Sequence, residues 1–335
     1  VGDETSTGDW SDVTIARHEF EIPGRNEGKR LDSYLAARFP DYSRTFIRDL
    51  IREGAITVNG RAVRPSYSPA RGDQVLALIP ARAHETVLPE DIPLDIVYED
   101  EWLVVVNKAA DLVVHPSKGH QTGTLVNALA YHFTQLSSVS GPLRPGVVHR
   151  LDRDTTGVIL VVKDDRVHEA IALQFERRTA TKEYLALCEG AFDLDCDLVD
   201  APIGHDGRSR ERMRVGGRDP REAQTVYEVI ERLGAFTLVR CRPRTGRTHQ
   251  IRVHLQHLGH PVVADPLYGR RRAVYLSDLT GEEHRPDQQP LLARQALHAL
   301  RLSIHHPALG REMTFEAPMP EDMEQLLQSL KEHAS

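Results

Sequence analysis

The chain has 335 residues, 40% of them hydrophobic and 27% charged. That balance excludes wholesale disorder and leaves room for two domains at about 150 residues each. Its three cysteines, Cys188, Cys196 and Cys241, are odd in number and scattered, so neither a disulfide framework nor a cysteine metal site is expected and a reducing compartment is the simpler setting. The net charge of -7 argues weakly against a nucleic-acid partner, but local fields decide binding.

No run of about 18 apolar residues occurs, and the start, VGDETSTGDW, has neither a basic region nor a hydrophobic stretch. No membrane span and no signal peptide are expected, and the cytoplasm is the default location.

Residues 1–27 read as an acidic tail that ends in one strand, with Asp3, Glu4, Asp9, Asp12, Glu19 and Glu21 set against Arg17. Between Lys29 and Arg71 the balance reverses, to nine basic residues against four acidic ones. Leu31, Tyr34, Leu35 and Phe39 have helical spacing, and Pro40 ends that helix. Ser43 is placed to cap a second helix, whose stripe is Phe46, Ile47, Leu50 and Ile51 and whose stop is Gly54. Arg44, Arg48 and Arg52 are four apart and are expected on one exposed face. AITVNGRAV predicts a hairpin around Asn59-Gly60 that carries Arg61, and GDQVLAL predicts a further strand. Residues 28–88 therefore form a small helix–helix–hairpin module.

Residues 81–93 read as a linker. Beyond them DIVYEDEWLVVVNK and DLVVHP are strand-like, GTLVNALAYH is helical, and VVHRLDRDTTGVILVVKD predicts two strands around a polar centre. RVHEAIALQFERR is a helix. KEYLALCEG, QTVYEVIERLG and FTLVRCRPR are strands, and HQIRVHLQHLG is a helix. RLSIHHP and EMTFEAP form a late strand pair before the C-terminal helix MPEDMEQLLQSLKEHAS. Residues 271–292 are polar and read as a surface insertion. With no steady βαβ rhythm, the expected class is α+β around a mixed, largely antiparallel sheet.

Two segments carry chemistry. His149–Gly157, HRLDRDTTG, places Asp152 and Asp154 between strand-forming runs, either as a loop held by a rigid sheet or as a charged hairpin turn. From Arg240 to Ala264 there are five arginines (Arg240, Arg242, Arg244, Arg247, Arg252) and no acid, around a permissive Gly246. Arginine forks without local acids suit phosphate partners better than a merely solvated face. His249, His254, His257 and His260 lack a nearby carboxylate, so no metal is expected. Neither GxGxxG nor GxxxxGK[ST] occurs, so no nucleotide cofactor is expected. Cys188 and Cys241 read as small core residues.

Several motifs occur in one order: VVHRLDRDTTGVILVVKD at 147–164, KEYLAL at 182–187, TGRTHQIRVH at 245–254, DPLYG at 265–269 and RQALHALRLSIHHP at 294–307. On these the chain resembles the RNA pseudouridine synthase family, with the ribosomal large-subunit synthase D group as the nearest pattern, over roughly 92–325. The basic module at 28–88 resembles the alpha-L RNA-binding module that precedes the catalytic domain in such enzymes. The usual NKPAG stands here as Asn107-Lys108-Ala109-Ala110-Asp111.

The resemblance implies an isomerase domain over 92–330 and assigns roles by motif position. Asp152 corresponds to the catalytic aspartate, Arg150 to the arginine that fills the space of the flipped base, and Tyr184 to the tyrosine that stacks on it. Arg252 corresponds to the basic partner of the aspartate. Arg44, Arg48, Arg52, Arg61, Arg244, Arg247 and His249 are expected to bind RNA. Asp154, Thr155 and Thr156 are expected to organise the loop, while His149 and His115 fit either an RNA contact or a structural role.

The chemistry breaks N1–C1′, turns the base and joins C5 to C1′. Nothing is oxidised or lost, which implies no cofactor. The implied substrate is large-subunit ribosomal RNA or its precursor particle. Transfer RNA and a non-catalytic ribosome-assembly role are the alternatives. A monomer is expected, since no coiled-coil repeat is present.

Overall fold

The computed structural model describes residues 15–23, 29–39, 42, 44–80, 87–116, 122–141, 143–207, 209, 211–285 and 287–333. The chain divides into two units, residues 1–86 and 87–335.

In the first unit the strands β1 (Ile15–Glu21), β2 (Ile56–Val58), β3 (Arg61–Ala62) and β4 (Gln74–Pro80) form one sheet in the order β1-β4-β2-β3. The helices α1 (Leu31–Arg38) and α2 (Arg44–Arg52) pack on it. Leu31, Leu35, Ile47, Leu50 and Ile51 are buried against Ile56, Ala77 and Ile79, as the helical spacing predicts. β1 pairs with β4 along its whole length, so residues 15–21, which the sequence placed in the acidic tail, belong to this sheet. Asn59 and Gly60 both have positive φ, 51° and 71°, which matches the right-handed twist of the β2–β3 hairpin.

Asp32 is buried, and Arg30 and Arg44 hold it at 3.0 and 3.1 Å. The bond from Arg30, with Arg44 adding to it, brings its carboxyl down to about 2. Of the row Arg44, Arg48 and Arg52, Arg44 and Arg52 are exposed as expected, but both are ion-paired. Arg44 serves Asp32, Arg52 pairs with Asp49 at 3.1 Å, and Arg48 is half-buried. The physical reason is that Asp32, from α1, would be a costly buried charge without α2's arginine. The expected cap Ser43 and stop Pro40 lie outside the described residues.

The second unit is built on nine strands. They are β5 (Asp95–Glu99), β6 (Leu103–Lys108), β7 (Thr156–Val162), β8 (Thr181–Glu189), β9 (Cys196–Asp200), β13 (Gln224–Leu233), β14 (Phe236–Pro243), β15 (Leu297–His306) and β16 (Arg311–Glu316). Their order is β5-β6-β7-β15-β8-β14-β13-β9, with β16 on β15. Only β7–β15 is parallel; the other pairs are antiparallel. The architecture is a mixed, largely antiparallel α+β sheet, as expected.

β7 is buried on both faces. Val158, Leu160 and Val162 meet α4 (Asp165–Glu176) on one side, and Ile159 and Val161 meet α3 (Leu125–His132) on the other. Such a doubly covered strand reads as a continuous apolar run. α5 (Gln250–His257) and α7 (Glu321–His333) cover the other half of the sheet together with Cys188 and Cys241, which are fully buried there.

Three segments depart from the sequence reading. DLVVHP is not a strand: Val113 makes one bridge to Thr124, and the Val113 and Val114 carbonyls take the N–H groups of Leu125 and Val126. Those carbonyls satisfy donors that the first turn of α3 leaves open. Residues 147–149 likewise form no strand. Val147 makes one bridge to Val161, and the Leu160 N–H goes instead to the His149 ring, at 2.9 Å. The polar stretch 271–292 is tied in rather than merely superficial. It holds α6 (Leu276–Thr280), and its ends Val274 and Leu292 are bridged and buried.

A small sheet, unexpected from the sequence, joins β10 (Ile203–His205), β11 (Met213–Val215) and β12 (Arg218–Arg221) in the order β11-β10-β12.

Candidate active site

Asp152 lies on the loop that enters β7, and the surrounding structure holds that loop by its backbone. Lys108, at the end of β6, is 1% exposed and donates its Nζ to the carbonyls of Ala109, Leu112 and Arg153 at 2.7, 2.9 and 2.7 Å. Burial pushes this ammonium down to about 7, while Asp154 and Asp152 favour keeping its proton. Arg294 donates to the Asp154 carbonyl, and Gln295 to the Thr155 hydroxyl. Thr156 pairs with His298. Through their side chains the two threonines therefore tie the loop to β15 and the segment before it, while the Thr155 N–H bonds within the loop, to the Asp152 carbonyl at 3.1 Å. Asp154 takes a two-point contact from Arg153.

Arg252, from the first turn of α5, reaches Asp152. Its Nη1 is 2.8 Å from Asp152 Oδ2, while Nε and Nη2 meet Asp265 at 2.6 and 2.9 Å. Asp265 is buried, and it also accepts the backbone N–H groups of Leu267 and Tyr268. Burial works against the Arg252 charge, but Asp265 and then Asp152 outweigh it and raise its pKa.

His249 precedes α5 in a left-handed conformation, φ 55°. Its Nε2 lies 4.0 Å from the same Oδ2, and its Nδ1 is 2.9 Å from the Tyr268 hydroxyl. That hydroxyl already accepts the Met213 N–H, so its own hydrogen is available for Nδ1. The neutral ring then carries its proton on Nε2, facing Asp152. Burial lowers the His249 pKa, with Asp152 opposing.

A buried polar knot shapes the loop between β14 and α5. Gln250 accepts the Thr245 hydroxyl and the Arg247 N–H, and donates to the Gln224 carbonyl and the Thr225 hydroxyl.

A cavity of about 440 Å³ gathers these groups. Asp152, Arg150, Tyr184, Arg244, Arg247, His249 and Arg252 all line it. Tyr184 is partly buried, and burial, with Asp152 adding, raises its hydroxyl pKa. Arg150 and Arg244 are exposed, with no side-chain ion pair among the described residues, while Arg247 gives Nε to the Glu222 carbonyl.

The absence of local acids around Arg240 and Arg242 is misleading. Glu183 on β8 and Glu228 on β13 pair with both arginines. Strand neighbours supply what the linear stretch lacks. Arg44, Arg48, Arg52 and Arg61 belong to the other unit. His149 is structural, stacked on Phe175 at 4.5 Å. His254 has both ring nitrogens engaged, with Thr225 and the Ala201 carbonyl. Sequence reasoning gave no role to Asp265, Tyr268, Lys108 or Lys182. DPLYG was the available signal for the first two, and KEY for the last.

Comparison with known proteins agrees with this architecture. The family model described as RNA pseudouridylate synthase matches residues 102–257, and that of the S4 domain matches residues 29–75. The chain is 42% identical over 318 residues to an uncharacterized RNA pseudouridine synthase, YlyB, of Bacillus subtilis, covering 94% of this chain and 99% of that protein. It is 41% identical over 313 residues to ribosomal large subunit pseudouridine synthase D of Pseudomonas aeruginosa, covering 93% and 95%. Among solved structures, human RNA pseudouridylate synthase domain containing 4 is 25% identical with a TM-score of 0.55, over 71% of this chain and 93% of that one.

A loop-borne carboxylate with an arginine partner, in a basic cavity beside a tyrosine on a mixed sheet, thus sits in a domain that isomerises uridine in RNA. The chain belongs to the RNA pseudouridine synthase family and carries an N-terminal RNA-binding S4 domain.

Proposed function

We propose that Asp152 is the catalytic carboxylate and that the substrate is a uridine of large-subunit ribosomal RNA. The observation that carries the first part is the one-sided engagement of its carboxylate. Arg252 and His249 both address Oδ2, which leaves Oδ1 without a side-chain partner among the described residues as the reactive oxygen of a residue that lines the cavity. The second part is supported by the similarity to proteins named ribosomal large subunit pseudouridine synthase D and by the S4 match.

Uridine within folded RNA hides C1′ and C5, so the nucleotide must leave the stack, at a cost of a few kcal/mol. Tyr184 offers a face for the base, and exposed Arg150 enters the gap left behind. Arg252 pairs with Asp152 at 2.8 Å and orients it. Oδ1 then acts either as nucleophile at the nucleoside or as base at C2′. Either way N1–C1′ breaks, the uracil turns, C5 bonds to C1′, and the C5 proton is lost while N1 gains one.

The test is nucleotide-resolution pseudouridine mapping of protein-free large-subunit ribosomal RNA and bulk transfer RNA, each incubated with wild type and with Asp152→Ala. New pseudouridine in the ribosomal RNA, made by the wild type alone, is expected. Modification confined to transfer RNA overturns the substrate reading. Equal modification by Asp152→Ala overturns the catalytic one.

A further inference from the structure

Lys182 is a cation of the cavity wall that the mechanism above leaves unused and that, unlike the exposed Arg244, is partly withdrawn from solvent. It lies on β8, two residues before Tyr184, and both line the cavity. It is half-buried, yet among the described residues no carboxylate or carbonyl takes its Nζ. Its neighbour Glu183 points to the opposite face of the strand, where it meets Arg240, Arg242 and Arg301. Removing an ammonium from water without a counter-charge is costly. The missing partner is therefore an anion that arrives with the ligand.

Geometry says which anion. Residues i and i+2 of a strand share a face and stand about 7 Å apart. That step is comparable to the one from a nucleotide's base to its own phosphate. A uracil lying on Tyr184, with its sugar at Asp152, would bring a flanking phosphate to Lys182. Across from Nζ lies Gly246, where a built Cβ would stand 3.9 Å away. Gly246 is exposed, and its lack of a side chain leaves the approach to Nζ open for a bulky phosphate group.

We infer that Lys182 binds a phosphate flanking the flipped uridine and so sets how deep the nucleotide enters. This rests on the reading that the uridine lies over Tyr184 and beside Asp152. The experiment uses the full chain and a stem–loop RNA carrying a mapped target uridine. In separate RNAs, one flanking phosphate is replaced by a neutral methylphosphonate, on the 5′ or the 3′ side.

A charge-assisted phosphate contact predicts that Lys182→Met lowers kcat/KM by about tenfold or more on normal RNA. One of the two methylphosphonate RNAs should cost the wild type a similar factor. The variant and that RNA together should be no worse than either alone. Lys182→Arg keeps the charge, and should keep both most of the activity and the sensitivity to that phosphate. It also serves as the readout if the methionine variant does not fold.

Losses that multiply, or a Lys182→Met enzyme within twofold of wild type, overturn the inference. Multiplying losses are also what a contact from Nζ to a uracil carbonyl would give. Failure of the underlying reading looks different, since it appears as turnover by Asp152→Ala with Lys182 intact.

Discussion

Asp265 holds Arg252 through two contacts, 2.6 and 2.9 Å, from a fully buried position. The arginine that touches Asp152 is thus aimed by a second carboxylate, which spends both oxygens on it and on two backbone N–H groups. Asp265→Ala leaves a buried guanidinium short of charge and should lower the unfolding free energy by about 3 kcal/mol or more in urea titrations. Asp265→Asn keeps the shape and one acceptor. It should fold better than the alanine variant and turn over about tenfold slower or worse, with RNA affinity little changed. An asparagine variant at the wild-type rate would mean that Asp152 alone is enough to place Arg252.

The Tyr268 hydroxyl joins His249 to Met213 of the small sheet. Tyr268→Phe leaves the Met213 N–H without its partner and frees the His249 ring. The expected cost is about 1–2 kcal/mol, with faster hydrogen exchange at the Met213 amide. Unchanged exchange there would show that the small sheet does not depend on this contact.

Gly157 sits where parallel β7 and β15 pair, with φ 111°, and a Cβ on it would lie 2.2 Å from the Ala299 carbonyl oxygen. Neither backbone can yield without breaking the pairing that carries the Asp152 loop. Gly157→Ala should destabilise by about 3 kcal/mol or more. Gly259→Ala has positive φ, 87°, but open space around it, so it should cost only about 1 kcal/mol. Equal shifts in Tm for the two variants would refute the steric account.

Much of this was legible in the sequence because it is local. The α1 and α2 stripes, the Asn59-Gly60 turn and the apolar run of β7 follow from periodicity and turn chemistry. Asp152 and Arg252 stood out through motifs 100 residues apart, and the structure places their side chains in contact. What could not be read is tertiary. Glu183 and Glu228 answer Arg240 and Arg242 only because β8, β14 and β13 are neighbours. The small sheet of β10, β11 and β12 has strands of three or four residues with little apolar alternation. Residues 147–149 have strand composition, but a histidine ring makes the bond that a strand would have made.

Lys108 links stability to pH. In the folded protein its ammonium titrates at about 7, against an ordinary 10.5, because it is buried. Between those values the unfolded chain binds more protons than the folded one, so stability rises with pH through that window. Below about 7 both states are charged and the full burial cost stands. Lys108→Met removes this linkage and leaves the Ala109, Leu112 and Arg153 carbonyls without their donor, each at a cost on the order of 1–3 kcal/mol. The variant should therefore be less stable throughout. Its deficit against wild type should widen above about pH 7, by up to about 1.4 kcal/mol per pH unit. Urea unfolding of both proteins from about pH 6 to about pH 10 measures that difference. A constant deficit would place the folded Lys108 at its ordinary value and leave the three carbonyls as its whole contribution.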